Sequence, residues 1–131
     1  RLSVYSDVLQ AVVQLANTLS LYAPVTIGAL PPDDGISMAW GSGSINSFLD
    51  KNAAVVMSAV LNAKSADKQT ALDALGQIHT FLSRTTSYPQ AEDYQITNVE
   101  TLSAPSYLGR EENSQWLYGS SLQVKFFSKG D

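Results

Sequence analysis

The sequence has no cysteine and one histidine, His79. Disulfides, thiolate nucleophiles and cysteine-held zinc are therefore excluded, and a histidine-based metal site fails by count. Charge is also sparse, with 15% Asp, Glu, Lys and Arg. The eight basic residues are scattered from Arg1 to Lys129, and the net charge of −4 argues against nucleic-acid binding through a basic face. No apolar run reaches the roughly 18 residues that a membrane span requires, so no membrane partner is expected. The start of the sequence lacks the basic-then-apolar order of a signal peptide, which makes the cytoplasm of the producing cell the expected compartment.

What is present is 44% apolar residue content in 131 residues, enough for one hydrophobic core and one domain spanning 1–131. Val8, Leu9, Val12, Leu15, Ala16 and Leu19 recur at helical spacing, predicting a helix from Ser3 or Ser6 to Ser20. Pro24 bars its continuation. Val25–Leu30 reads as a short strand, Pro31-Pro32-Asp33-Asp34-Gly35 as a tight turn, and Ile36, Met38 and Trp40 as one face of a second strand, together a hairpin. Gly41-Ser42-Gly43-Ser44 suggests a flexible connector.

Lys51–Lys64 is apolar on both alternating sets, which suits a strand covered on both faces or a buried helix; Val55, Val56 and Val60 favour the strand. At about 3.3 Å per residue it would run roughly 46 Å, long enough for part of it to project past its sheet. Asp67 is a natural N-cap for a second helix reaching Arg84, with Ala71, Leu72, Leu75, Ile78, His79 and Leu82 facing inward. Asp93–Ser103 alternates like a strand with a slip that a bulge near Asn98 would produce. Pro105–Gln115 reads as a polar loop, and Trp116 to Phe126 as a clean final strand. The fold class is α+β in the order α-β-β-β-α-β-β, a mixed or antiparallel sheet with two helices packed on it.

No constellation of catalytic residues emerges. His79 lies among apolar neighbours, and no Gly-x-Ser-x-Gly elbow offers it a nucleophile. Gly41-Ser42-Gly43 fails the dinucleotide fingerprint at Asn46, and no Gly-Lys-Ser/Thr occurs. Glu111 and Glu112 are adjacent in sequence and would point apart on an extended backbone. Asp33 and Asp34 could hold a hard cation, but Pro-Pro-Asp-Asp-Gly is first of all turn chemistry. The expectation is no enzyme, no cofactor and no metal.

Two stretches carry a resemblance. Tyr5-Ser6-Asp7-Val8-Leu9-Gln10, followed by Leu21 to Gly28 and Leu30-Pro31-Pro32-Asp33, resembles the opening of a phage minor capsid protein family. Pro105 to Asn113 followed by Trp116 to Leu122 resembles its closing segment, with Phe48-Leu49-Asp50-Lys51 between them. Proteins of this kind in siphophages resemble tail terminators, also called tail completion or tail-to-head joining proteins. The resemblance implies a virion protein at the tail–head junction that forms a ring, usually a hexamer, on the last ring of tail-tube protein. It would stop tube growth and receive the head–tail connector protein, with DNA only passing through the lumen. A head or neck minor capsid component, or a small protein-binding adaptor without a ring, are the alternatives. As interface residues the sequence nominates Asp33 and Asp34 at the turn, and Tyr107, Leu108 and Arg110 in the late segment, because Tyr and Arg most often anchor contacts.

Overall fold

The computed structural model describes residues 4–30, 34–49, 52–85, 87–110 and 114–128. It is α+β: two helices lie against a mixed six-stranded sheet of order β1-β2-β3-β6-β5-β4. The elements are α1 (Val4–Ala16), β1 (Val25–Ile27), β2 (Gly35–Leu49), β3 (Asn52–Ser65), α2 (Lys68–Arg84), β4 (Gln90–Ala91), β5 (Tyr94–Arg110) and β6 (Trp116–Ser128). The two-residue β4 is one strand more than the sequence pattern predicts; it pairs Gln90 and Ala91 with Gln95 and Tyr94.

α1 stops at Ala16, earlier than its apolar stripe suggests. The cause is Asn17, whose side-chain amide donates to the Val25 carbonyl at 3.2 Å and accepts from the Val25 N–H at 2.8 Å. It stands in for a neighbouring strand and turns the chain into β1. The expected hairpin is not formed. β1 and β2 pair in parallel, with Val25 opposite Ile36 and Ile27 opposite Met38. A tight turn cannot deliver that geometry, because the chain must travel back past its own strand. Gly28 starts the return at φ +93, a backbone state costly for any side chain, while its N–H donates to the Met38 carbonyl.

The glycine-serine stretch is not a connector either. It continues β2, with register shifts between Trp40 and Gly43 and between Ile45 and Ser47. The glycines serve close approach: a Cβ on Gly43 would meet the Met57 sulfur and come within 2.7 Å of the Val56 carbonyl. β3 is a strand throughout, but it does not project. It pairs with β2 from Asn52 to Lys64 and with β6 from Ala53 to Ser65. Nor is it covered on both faces. Val55, Ala59, Leu61 and Ala63 are buried beneath the helices, whereas Val60 on the other face is exposed. β5 shows the expected slip between Ile96 and Asn98.

Both helices pack on one face. His79 of α2 reaches Ser120, and Tyr5 of α1 meets the Phe126 ring edge-on at 6.0 Å; Ser120 and Phe126 share one side of β6 by alternation. Trp40 stacks on Phe126 at 6.4 Å and donates its indole N–H to the Tyr5 carbonyl at 2.8 Å, so α1 is tied as well as packed. Asp67 caps α2 by accepting from the Gln69 N–H at 3.0 Å. Ala71, Ala74, Leu75, Ile78, His79 and Leu82 form its buried stripe, with Leu72 only half-buried. Full burial of Leu75, Ile78 and Leu82 stabilises the fold by roughly 1.5–3 kcal/mol each.

Candidate interaction surface

Pro105 to Arg110 belongs to β5 and is not a loop. Pro105 falls in the interval between Ser103, opposite Ser121, and Ser106, opposite Gly119. A bulge on an outer strand tolerates a residue without an N–H, which is why the proline does not end the strand. The nominated residues of this segment divide between two sides of the sheet. Leu108 lies over Gly119, where a Cβ would come within 2.6 Å of its Cδ1. Tyr107 and Arg110 project to the other side, against Trp116. The Tyr107 ring lies 5.7 Å from that of Trp116 and 5.8 Å from that of Tyr118. The Arg110 guanidinium carbon sits 4.5 Å from the Trp116 ring centroid, and Lys68 Nζ sits 5.4 Å from it. Tyr107 is still 52% exposed and Leu108 56% exposed.

Asp34 is not at the tip of a free turn. It accepts from the Ser65 hydroxyl at 3.4 Å and from the Gln115 side-chain amide, linking the start of β2 to the end of β3 and the approach to β6. Asp33 lies outside the described residues. Register brings Asp34 and Arg110 to the same end of the sheet: Gly35 is opposite Lys64, Lys64 opposite Leu117, and Leu117 opposite Gly109. Sequence reasoning missed Trp116, Tyr118 and Lys68 as members of this cluster. Trp116 carried a signal only as a strand residue, and Lys68 carried none.

Among the described residues, His79 is the one group whose surroundings resemble catalytic machinery. Its Nε2 is 2.7 Å from the Ser120 hydroxyl and its Nδ1 is 2.8 Å from the Thr101 hydroxyl. Burial pushes its pKa below the usual 6.5, so the imidazole is neutral, donating from one nitrogen and accepting at the other. Ser120 is itself buried, and a hydroxyl takes the place where a triad has its carboxylate. The arrangement braces α2 against β5 and β6. Among the described residues no three His, Cys, Asp or Glu side chains gather as metal ligands, and no helix is long and apolar enough to cross a membrane.

The comparisons decide no family. No family model and no curated protein matches the chain. The most specific feature of the surface is the pair of sheet edges. β1 covers β2 only from Ile36 to Met38, so among the described residues β2 has no outer strand from Ala39 to Leu49. β4 covers β5 at Tyr94 and Gln95 and the Pro89 carbonyl takes the Ile96 N–H at 3.4 Å, so among the described residues β5 has no outer strand from Thr97 to Arg110. β2 and β3, β3 and β6, and β6 and β5 are all antiparallel, so the two open edges are strands running in opposite directions.

Proposed function

We propose that this chain is a structural protein of a long-tailed bacteriophage or prophage that assembles head to tail into a ring, caps the tail tube and joins it to the head connector. The observation that supports the ring is the pair of open edges of opposite direction. A copy placed beside another by rotation alone sets β5 of one antiparallel to β2 of the next, continuing the alternation that already runs from β2 to β5. Such a contact is heterologous and closes when the rotation divides a full turn. An unpaired edge of this length is otherwise an aggregation liability that soluble proteins avoid.

The tail-terminator assignment rests on the sequence resemblance, with its tail-tube and connector partners and its place in the virion. A structural role also agrees with a buried His79 and an interface-like exposure of Tyr107 and Leu108. Deleting the gene from the phage or prophage that carries it, inducing, and imaging the products by negative-stain electron microscopy tests the reading. Filled heads beside unattached tails of uncontrolled length are expected. Normal tails with defective heads would move the protein to the head or neck, and intact virions would remove the proposal.

A further inference from the structure

Two cations meet on the Trp116 ring, Arg110 at 4.5 Å and Lys68 at 5.4 Å. The described residues hold five Lys or Arg against seven Asp or Glu, yet two of the five, Lys68 and Arg110, share one indole. Among the described residues neither has a carboxylate partner; the ion pair seen there joins Lys125 to Glu100, at 3.8 Å. Arg110 uses one amino group on the Ser114 carbonyl at 3.2 Å, and no other hydrogen bond of its guanidinium is formed among the described residues. Asp67, beside Lys68 in sequence, turns its carboxylate to the Gln69 N–H as the helix cap. Lys68 opens α2, so the partial positive charge of the helix start adds to the same field.

We propose that this end of the molecule, built from Trp116, Arg110, Lys68 and Tyr107, is a docking site for a carboxylate-bearing segment of a partner protein. Arg110 would take a carboxylate through paired N–H donors, Lys68 would add a second charge, and the exposed part of Tyr107 would cover the segment's apolar atoms. Nucleic acid fits less well. The Trp116 ring is already engaged by Arg110, Lys68 and Tyr107, leaving little surface for a base to stack on. The site lies on the helix side of the sheet and does not depend on the ring.

The test uses the two tryptophan indole N–H signals of the full ¹⁵N-labelled chain, assigned with Trp116→Phe. The probes are a blocked ten-residue Asp/Glu/Ser peptide, the same peptide with Asn and Gln for the acids, and a ten-nucleotide oligothymidylate. The acidic peptide is expected to shift the Trp116 signal saturably and leave that of Trp40 in place. Arg110→Gln and Lys68→Gln should each weaken it by about three- to tenfold, the range for one charge-assisted contact. The unmoved Trp40 signal reports that each variant is folded, and sedimentation reports ring assembly separately. No saturable shift up to about 1 mM peptide, an equal shift with the neutral peptide, tighter binding of the oligothymidylate, or indifference to both substitutions would each overturn the proposal.

Discussion

Asn17 and Val25 form a closed pair of hydrogen bonds, the Asn17 amide giving one to the Val25 carbonyl and taking one from its N–H. This side chain ends α1 and at the same time completes the outermost full strand of the sheet. Because Val25 is buried, removing the amide leaves two backbone groups without partners. Asn17→Ala should therefore cost about 2–4 kcal/mol, two buried groups at about 1–2 kcal/mol each. Asn17→Asp, which keeps the acceptor, should cost less. Urea unfolding with an unchanged slope measures both.

His79 is the single histidine, so its titration can be read in isolation from other imidazoles. Its folded pKa is below the unfolded value of 6.5 because burial penalises the charged ring. Below about pH 6.5 the unfolded chain binds the proton first, so stability is full above that pH and falls as the medium is acidified. His79→Gln should flatten this slope between the imidazole and carboxylate ranges. It should also lower stability at pH 8 by about 1–3 kcal/mol, since the Gln amide does not place its donor and acceptor where the two ring nitrogens meet Ser120 and Thr101. A slope unchanged by the substitution would show that another group carries it.

Tyr22 should ionise well above the usual tyrosine range. Its hydroxyl lies 2.8 Å from the Lys64 carbonyl and 3.0 Å from that of Gly35, and burial, reinforced by the charge of Asp34, pushes its pKa up to about 12. The unfolded chain loses this proton near 10, so the contribution is present below pH 10 and is lost as pH rises from there towards 12. Absorbance titration at alkaline pH should show a late step that Tyr22→Phe removes.

Two glycines should respond differently to the same added methyl group. At Gly119 the new atom meets the tip of Leu108, a flexible and half-exposed side chain. At Gly43 it meets the backbone carbonyl of Val56, which cannot step aside without breaking register. Gly43→Ala is expected to cost about 1–3 kcal/mol, as overpacking does, and Gly119→Ala less than that. Thermal unfolding of the two variants decides the order, and Leu108→Ala should reduce the cost at Gly119, leaving the contact with the Asn62 side-chain oxygen at 3.1 Å.

If the open edge of β5 joins copies, Leu102→Lys should abolish the ring while leaving the subunit's stability within about 0.5 kcal/mol, because Leu102 is 56% exposed. Sedimentation measures the assembly and thermal unfolding the stability. Rings that persist with the lysine in place would place the contact elsewhere.

The sequence by itself determined the α+β class, both helices with most of their inward stripes though not the end of α1, the Asp67 cap and the slip near Asn98. Those features are written in spacing and in single residues beside each other, which is the range over which periodicity and capping act. Tertiary structure decided the rest. The parallel pairing of β1 depends on Asn17, eight residues away from the backbone it holds. Gly41 to Gly43 became strand because Val56, Met57 and Ser58 lie close across the sheet, a fact no local window contains. Pro105 could remain in β5 because among the described residues that stretch has no outer strand to take an N–H. The grouping of Lys68 with Tyr107, Arg110 and Trp116 arose from register between strands and from where α2 begins. Spacing along the chain reports which face a residue takes; only packing reports which residues share that face.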